Sequence, residues 1–254
     1  MRDFERDEID FILDTATWMR PLAEAGSVLL KGKVLASLFF EPSTRTRLSF
    51  ESAMQRLGGG VVGFAEPRVS SVAKGESLSD TVKVVENYAE VLIIRHPDDD
   101  AAKIAVEAAS VPVINAGSGS WEHPTQALLD LHTIDAACGG IDGLSIGLLG
   151  DLLYGRTVHS LMIALSNYDV KLYLVSPREL RMRGDVLRDV EGKVDYVETG
   201  DLESVLPNLD VLYATRVQKE RFPDPADYER VKDAYIINRE LLKGAKRGLV
   251  LMHP

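Results

Sequence analysis

The chain has 254 residues, of which 45% are hydrophobic and 27% are charged, and its net charge is −10 at pH 7. This length and composition predict a globular protein of one large or two smaller domains, and the acidic balance argues against a general binder of nucleic acid or anionic membranes. The single cysteine, Cys138, excludes an internal disulfide, and an acidic N-terminus without a long apolar run predicts a cytoplasmic protein.

Helix-periodic segments and short apolar segments alternate along the first half of the chain. Apolar residues spaced three and four apart predict helices over residues 9–19, 44–57, 78–89 and 101–109, and one that begins at Pro124. Ser43 and Ser77 suit N-cap positions, and Asp80 makes the second of these a variant of the capping box. Uninterrupted apolar runs predict strands over residues 34–40, 91–94 and 111–116.

The same alternation continues in the second half of the chain. Strands are predicted over residues 144–149, 170–175, 194–198, 210–214 and 249–252. Helices are predicted over residues 158–165, 179–190, 202–206 and 239–245. Short apolar strands that alternate with helices are typical of parallel sheets. The sequence therefore predicts two doubly wound α/β domains, residues 1–124 and 125–254, with the active site in the cleft between them.

The most informative motif is the heptapeptide of residues 41–47, Glu-Pro-Ser-Thr-Arg-Thr-Arg, between a predicted strand and a predicted helix. With Ser43 as the N-cap, Arg45 and Arg47 fall in the first helical turn, where the helix dipole disfavours cations. A bound anion, such as a phosphate on the free backbone N–H groups, resolves this conflict. The alternative is that both arginines are solvated surface charges, with Glu51 four residues on as a partner for Arg47.

Further cations follow other predicted strands. Open α/β sheets bind ligands beyond the carboxyl ends of their strands. The segments at these positions carry Arg45, Arg95, His96, His123, Arg156 and Arg216. Lys74, in a glycine-flanked loop, adds another cation. This cluster predicts a pocket for small substrates with several negative charges, because arginine binds phosphate and carboxylate in a bidentate manner.

Six motifs are highly specific when they are taken together. They are Phe-Glu-Pro-Ser-Thr-Arg-Thr-Arg at 40–47, Val-Ala-Lys-Gly-Glu at 72–76, Arg-His-Pro at 95–97, His-Pro-Thr-Gln at 123–126, Tyr-Gly-Arg-Thr at 154–157 and Thr-Arg-Val-Gln-Lys-Glu-Arg at 215–221. Over essentially its whole length the chain resembles the transcarbamylases, and among them the catalytic chains of aspartate carbamoyltransferases. The first motif alone does not separate aspartate from ornithine enzymes. The motifs at 72–76 and 215–221 favour aspartate, because they resemble the elements that bind its two carboxylates in this family.

The resemblance implies transfer of a carbamoyl group from carbamoyl phosphate to the α-amine of L-aspartate, in de novo pyrimidine biosynthesis. It implies that the phosphate is held by Ser43, Thr44, Arg45 and Thr46. It further implies that the carbonyl oxygen is bound by Thr46, Arg95 and His123, which stabilise a tetrahedral intermediate. Gln126 would bind the carbamoyl amine, and the aspartate carboxylates would be held by Arg156, Arg216 and Gln218. The residues assigned to catalysis are Arg45, Thr46, Lys74, Arg95 and His123.

The resemblance also has consequences for assembly. Ser70 and Lys74 match residues that reach into the site of a neighbouring subunit, which implies a homotrimer with shared sites and is compatible with an additional regulatory chain. The implied partners are carbamoyl phosphate and L-aspartate, not nucleic acid or a membrane. No metal, nucleotide cofactor or covalent enzyme intermediate is implied, and catalysis would depend on orientation, charge stabilisation and domain closure.

Other interpretations apply to single residues. In isolation, His123 before a proline is more typical of a capping or core histidine, and Lys74 of a surface loop. His96 suits a structural role equally well. The acidic triplet at 98–100 has the spacing of metal ligands but also suits an acidic turn. Residues 147–151 hint at a dinucleotide-binding turn but lack the G-x-G-x-x-G spacing.

Three competing functions follow from these alternatives: a transcarbamylase for another amino acceptor, an inactive homologue that binds or scaffolds, and a dinucleotide-dependent oxidoreductase. The second is favoured by the end of the sequence at Pro254, where the family continues with Leu-Pro-Arg and helices that return to the first domain. The resemblance therefore implies a truncated chain, with exposed apolar surface and weak or absent activity.

Overall fold

A computed structural model of the chain describes residues 1–66, 74–217, 222, 224–231 and 234–254. Internal contacts divide the described chain into two compact units. We call Phe11–Thr125 the N-terminal unit, and Met1–Asp10 together with Gln126–Pro254 the C-terminal unit. The predicted domain bounds, 1–124 and 125–254, stay a prediction.

The described residues of the N-terminal unit form a parallel sheet. Its strands are β1 (Val34–Phe39), β2 (Gly60–Phe64), β3 (Val91–His96) and β4 (Val113–Ser118). Their order across the sheet is β2-β1-β3-β4, and each neighbouring pair is parallel. The helices along this part of the chain are α1 (Arg6–Ala25), α2 (Thr44–Arg56), α3 (Leu78–Val85) and α4 (Ala101–Ala108).

The described residues of the C-terminal unit form a second parallel sheet. Its strands are β5 (Ser145–Leu149), β6 (Lys171–Val175), β7 (Asp195–Thr199), β8 (Val211–Ala214) and β9 (Val250–Met252), in the order β7-β6-β5-β8-β9. The helices are α5 (Pro124–Cys138), α6 (Arg156–Leu165), α7 (Gly184–Asp189), α8 (Leu202–Val205), α9 (Pro225–Val231) and α10 (Arg239–Leu242). None of the described helices has the length and apolar character that crossing a membrane requires.

Strand β1 in the sheet of the N-terminal unit is buried on both faces. Alternate residues of β1 point to opposite faces of the sheet. Phe39 packs in one cluster with Met54 of α2, whereas Leu38 packs in another with Val82 of α3 and Ala105 of α4. Burial on both faces explains why the strand is an uninterrupted apolar run in the sequence.

In each sheet, the chain first adds strands on one side of the first strand and then crosses to its other side. From β1 the chain moves to β2 on one side and then crosses to β3 on the other. From β5 it moves outward to β6 and β7 and then crosses to β8. The carboxyl ends of β1 and β3, and those of β5 and β8, therefore flank topological switch points, where open α/β sheets bind ligands.

The predicted α/β class with doubly wound parallel sheets is confirmed. Strand β2 is not predicted by the sequence pattern, because Gly60 and Gly63 are typical of turns. Gly63 has φ +143° and lies so close to β1 that an added Cβ would be 2.1 Å from the Ser37 carbonyl oxygen. This glycine is therefore required by the close approach of β1 and β2, not by a turn.

The predicted helix over residues 179–190 is wrong in its first half. Arg178–Leu180 form a single 3-10 turn, and the α-helix begins only at Gly184. Leu180 and Met182 are both buried, although residues two apart do not share one face of an α-helix. The Leu180 carbonyl also accepts a hydrogen bond from Leu152 N at 3.1 Å, which fixes this segment against the loop after β5.

Candidate active site

The N-terminus of α2 follows β1 closely and carries the predicted phosphate-binding residues. Ser43 is the N-cap, as the sequence predicts, and its side chain makes no capping hydrogen bond. Thr44, Arg45 and Thr46 form the first turn, which contains no acidic residue. Because neither a capping oxygen nor a carboxylate of this turn offsets the positive end of the helix dipole, the turn has the electrostatic character of an anion site.

The two arginines of this motif have different surroundings. Arg47 Nη1 lies 3.3 Å from Glu51 Oε1, and this i,i+4 ion pair is the one that the sequence offers for Arg47. Glu51 Oε1 also accepts a hydrogen bond from Ser37 Oγ at 3.0 Å. Arg45 is exposed and forms no ion pair with any described residue. Arg45 is therefore the cation at this helix terminus that is available to an anion.

Arg95, near the carboxyl end of β3, is held by Glu41 at the switch point of the N-terminal unit. Its Nε and Nη2 donate hydrogen bonds to Glu41 Oε1 at 3.1 and 2.6 Å, and 12% of its side chain is exposed. Its Nη1 donates to Thr46 Oγ1 at 3.4 Å and lies 3.5 Å from His123 Nε2. The guanidinium thus joins the segments that follow β1 and β4, and it brings together the three residues that the resemblance assigns to one carbonyl oxygen.

Glu41 is the member of this group that is not among the site residues predicted from the sequence. The signal is present in the sequence, because an acidic residue opens a motif that is otherwise cationic and directly follows a buried strand. A carboxylate that binds two nitrogens of a guanidinium restricts its rotation. Glu41 therefore orients Arg95 so that Nη1 contacts Thr46 and His123.

His123 ends the loop between β4 and α5 and is 5% exposed. Hydrogen bonds fix the end of β4 and the start of this loop: Asn115 Oδ1 accepts one from Gly117 N within β4, and Asp99 Oδ1 accepts one from Ser120 N in the loop, both at 2.8 Å. These bonds set the course of the chain toward His123.

The polar residues after β3 have structural contacts. The ring of His96 packs on Phe40 with centroids 4.8 Å apart, its Nδ1 accepts a hydrogen bond from Asp98 N, and burial lowers its pKa. Asp100 is the N-cap of α4. In the described part of the chain, no group of three His, Cys, Asp or Glu side chains is placed to hold a metal ion. Asp99 accepts a hydrogen bond from Ser120 N, so Asp99 and Asp100 have contacts typical of a turn that leads into a helix.

In the C-terminal unit, the segments after β5 and β8 pack on each other. Gly150 has φ +113°, and an added Cβ would lie 2.4 Å from the Thr215 carbonyl oxygen. Asp151 N donates a hydrogen bond to Thr215 Oγ1 at 3.2 Å. Arg156 begins α6 and is buried, whereas Arg216, just after β8, is exposed. Both arginines that the resemblance assigns to the aspartate carboxylates thus follow strands that flank this switch point.

A chain of hydrogen bonds connects Gln126 to α6. Gln126 Nε2 donates to Asp130 Oδ1 at 3.0 Å, and the Tyr213 hydroxyl donates to Asp130 Oδ2 at 2.7 Å. Thr157, next to Arg156, hydrogen-bonds the Tyr213 oxygen. Asp130 is 4% exposed. Burial raises its pKa to about 6, although the bonds from Tyr213 and Gln126 lower it. Neither Asp130 nor Tyr213 is among the site residues that the sequence predicts.

Three predicted site residues fall in or beside the parts of the chain that are not described. Ser70 and Gln218 lie outside the described residues. Lys74 is the first described residue after residue 66, and it is exposed. The roles assigned to these three residues, like those of the other predicted site residues, stay predictions.

Two family models match the chain. The model described as the carbamoyl-P binding domain of aspartate/ornithine carbamoyltransferase matches residues 1–136. The model described as the Asp/Orn binding domain of aspartate/ornithine carbamoyltransferase matches residues 142–254. Together the two models cover nearly the whole chain.

Similar proteins carry names from the aspartate branch of this family. The aspartate carbamoyltransferase catalytic subunit of Thermococcus kodakarensis is 58% identical to this chain in an alignment 257 residues long. The alignment covers 100% of this chain and 83% of that protein. A solved structure of the catalytic subunit of M. jannaschii aspartate transcarbamoylase is 51% identical, with a TM-score of 0.91, and covers 100% of this chain and 84% of that one. The structure of Trypanosoma cruzi aspartate transcarbamoylase in complex with carbamoyl aspartate and phosphate is 41% identical, with a TM-score of 0.93, and covers 100% of this chain and 82% of that one. The chain belongs to the aspartate/ornithine carbamoyltransferase family.

Proposed function

We propose that this chain is an aspartate carbamoyltransferase catalytic chain, which transfers the carbamoyl group of carbamoyl phosphate to L-aspartate. The products are N-carbamoyl-L-aspartate and phosphate, and the reaction serves de novo pyrimidine biosynthesis. The observation that carries this proposal is the 58% identity to the T. kodakarensis catalytic subunit over the whole chain. The T. cruzi relative binds carbamoyl aspartate and phosphate, which are the two products of this reaction.

The phosphate group is assigned to the first turn of α2. Ser43, Thr44, Arg45 and Thr46 supply hydroxyls, backbone N–H groups and one guanidinium at the positive end of the helix dipole. The exposed Arg45 has no ion pair with a described residue, so its charge is available to the phosphate. Phosphate binding there places the carbamoyl end of the substrate toward the Arg95 group.

The carbonyl oxygen is assigned to Thr46, Arg95 and His123. When the α-amine of aspartate attacks the carbonyl carbon, the π electrons move onto the oxygen and a tetrahedral oxyanion forms. The Arg95 guanidinium, the Thr46 hydroxyl and the His123 imidazole donate hydrogen bonds to that oxyanion. When the carbonyl forms again, the C–O bond to phosphate breaks, and the leaving phosphate takes the proton of the amine.

The remaining substrate groups are assigned to the C-terminal unit. Gln126 binds the carbamoyl amine. Arg156, Arg216 and Gln218 bind the carboxylates of aspartate through charge-assisted hydrogen bonds. Two carboxylates on the acceptor require two cations, and Arg156 and Arg216 follow the strands at the switch point of this unit.

We also propose a homotrimer in the cytoplasm, in which Ser70 and Lys74 act in the site of a neighbouring subunit. The exposed position of Lys74 supports this proposal, because its charge is open to a partner. The single cysteine suits a reducing compartment.

The acceptor is tested by phosphate release from carbamoyl phosphate in the presence of L-aspartate, of L-ornithine or of no acceptor. Release that depends on aspartate supports the proposal. Release that depends only on ornithine, or that needs no acceptor, contradicts it. Arg95→Ala should abolish the release, whereas Arg20→Ala on the exposed face of α1 should retain it.

A further inference from the structure

Asp130 is a buried carboxylate on α5. It is 4% exposed, and no Lys or Arg of the described residues forms an ion pair with it or shifts its pKa. A buried charge of this kind is costly unless hydrogen bonds compensate it. Its compensation comes from Gln126 of α5 at 3.0 Å and Tyr213 of β8 at 2.7 Å. The fold therefore keeps a charge at a position where an apolar side chain would be easier to bury.

The direction of these hydrogen bonds follows from the chemistry of the groups. An ionised carboxylate only accepts hydrogen bonds, whereas a glutamine side chain has an NH₂ donor end and a carbonyl acceptor end. Asp130 therefore binds the Nε2 end of Gln126 and leaves the carbonyl oxygen, Oε1, as the end not committed to Asp130. Tyr213, with Thr157 on its oxygen, completes the arrangement from the other side of the carboxylate.

We propose that Asp130 is a positioning residue that fixes the Gln126 amide with its carbonyl oxygen toward the substrate, and thereby selects acyl phosphates that carry an amino group. This inference rests on the proposed function, in which Gln126 binds the carbamoyl amine. A carbamoyl NH₂ donates a hydrogen bond to the oriented Oε1 atom. An acyl phosphate with a methyl group at this position, such as acetyl phosphate, leaves the same oxygen without a donor.

Protonation of Asp130 should weaken this selection. A protonated carboxyl can donate to Gln126 Oε1, which favours the amide flipped by a half turn with its NH₂ group toward the substrate. The NH₂ group of Gln126 would then face the NH₂ group of carbamoyl phosphate, and two donors cannot form a hydrogen bond with each other. The groups that bear on Asp130 are Gln126 from its own helix and Tyr213 from β8, both neutral, while burial raises its pKa to about 6. The selection should therefore weaken below about pH 6.

The test compares the dissociation constants of carbamoyl phosphate and acetyl phosphate in the wild-type chain and in Asp130→Asn. An asparagine that accepts from Tyr213 turns its NH₂ group toward Gln126 and favours the flipped amide. The preference for carbamoyl phosphate should fall about 10-fold, which corresponds to one hydrogen bond. Inorganic phosphate, which has no amine, should bind both chains equally. Asp135→Asn, on the same helix, is the matched control and should keep the wild-type preference. An unchanged preference in Asp130→Asn would overturn the positioning role.

The pH dependence provides a second test that does not require Asp130→Asn to fold. The quantity measured is the dissociation constant of acetyl phosphate divided by that of carbamoyl phosphate. Titration of the phosphate group, which both compounds share, cancels in this ratio. In the wild-type chain this ratio should fall as the pH drops through about 6. In Tyr213→Phe the fall should begin at higher pH, because the bond from Tyr213 lowers the pKa of Asp130. A ratio independent of pH in both chains would overturn the inference.

The two proposals fail in different ways. If the wild-type chain shows no aspartate-dependent release of phosphate, the proposed function is wrong. If it releases phosphate with aspartate but Asp130→Asn keeps the preference for carbamoyl phosphate over acetyl phosphate, only the role of Asp130 is wrong.

Discussion

Arg95 donates two hydrogen bonds to one oxygen of Glu41, from Nε at 3.1 Å and from Nη2 at 2.6 Å. The pair joins the segment after β1 to the end of β3, while Nη1 contacts Thr46 and His123. Both side chains are mostly buried, so water screens this pair less than it screens a surface ion pair. Glu41 therefore sets the orientation of the cation that is proposed to stabilise the oxyanion.

Replacement of Glu41 by glutamine should lower kcat by about 10- to 100-fold, because a misplaced catalytic group loses up to about two orders of magnitude in rate. Glutamine keeps one acceptor but loses the charge that holds the guanidinium. Steady-state kinetics with carbamoyl phosphate and aspartate measures the effect. The matched control is Glu51→Gln, which removes the partner of Arg47 in the same motif and should cost much less. Equal losses in both variants would contradict a specific role for Glu41.

Arg45→Ala should weaken the binding of inorganic phosphate by about 10- to 100-fold, the loss expected for charge-assisted hydrogen bonds to an anion. Calorimetric titration with phosphate measures the dissociation constant. Arg56→Ala is the control, because Arg56 lies in the last turn of the same helix, about 16 Å along its axis. An unchanged dissociation constant in Arg45→Ala, or an equal loss in Arg56→Ala, would show that the N-terminus of α2 does not bind the phosphate.

Sites shared between subunits should be restored when two inactive chains are mixed. Lys74→Ala and Arg45→Ala are each expected to be inactive. In mixed trimers of the two, one site contains an intact Arg45 and an intact Lys74, so an equal mixture should recover about a quarter of the wild-type activity. Activity is measured before and after dissociation and reassembly of the chains. A mixture as inactive as its two components would argue against a role for Lys74 in a neighbouring site.

Gly63→Ala should destabilise the chain by at least about 2 kcal/mol more than Gly140→Ala, because only the first places a Cβ against the backbone of a neighbouring strand. Both glycines have φ +143°, but an added Cβ at Gly63 lies 2.1 Å from the Ser37 carbonyl oxygen, whereas Gly140 has nothing within 4 Å. Denaturation by urea measures the free energies of unfolding. Similar losses at the two positions would mean that backbone strain alone, and not the approach of β1 to β2, requires Gly63.

The buried carboxyl of Asp130 should make the free energy of unfolding depend on pH. Its pKa is about 6 in the folded chain and about 3.9 in an unfolded one. The folded state therefore binds the proton more tightly, and the stabilisation that protonation gives is lost as the pH rises through 6. Between about pH 7 and about pH 5, the wild-type chain should gain about 1.4 kcal/mol relative to Asp130→Asn. Urea denaturation at each pH measures this difference, and a constant difference would contradict the pKa.

The sequence predicted those parts of the site that follow from local order along the chain. Ser43 precedes a helix-periodic segment, so the N-terminus of α2 and its arginines were predictable. Arg95 and His123 follow predicted strands, so their placement at one edge of a parallel sheet was predictable too. The assignment to carbamoyl phosphate needed the resemblance, because a pattern of cations specifies an anion site and not its ligand.

The contacts that the sequence did not predict join distant segments or depend on close packing. Tyr213 and Asp130 are 83 residues apart, and a tyrosine in a strand and an aspartate in a helix have no shared local pattern. Glu41 and Arg95 are 54 residues apart, so their pairing also appears only in the folded chain. In the sequence, Gly63 is typical of a turn. Its close approach to Ser37 of β1 appears only when β2 is paired with β1.

The most direct test of carbamoyl transfer follows the carbamoyl carbon itself. Isotope-labelled carbamoyl phosphate is incubated with the chain and L-aspartate, and the labelled products are identified by nuclear magnetic resonance. The label should move into N-carbamoyl-L-aspartate with release of an equal amount of phosphate, and Arg95→Ala should prevent the transfer. Label that appears only in the hydrolysis products of carbamoyl phosphate, with none in aspartate, would contradict the proposed function.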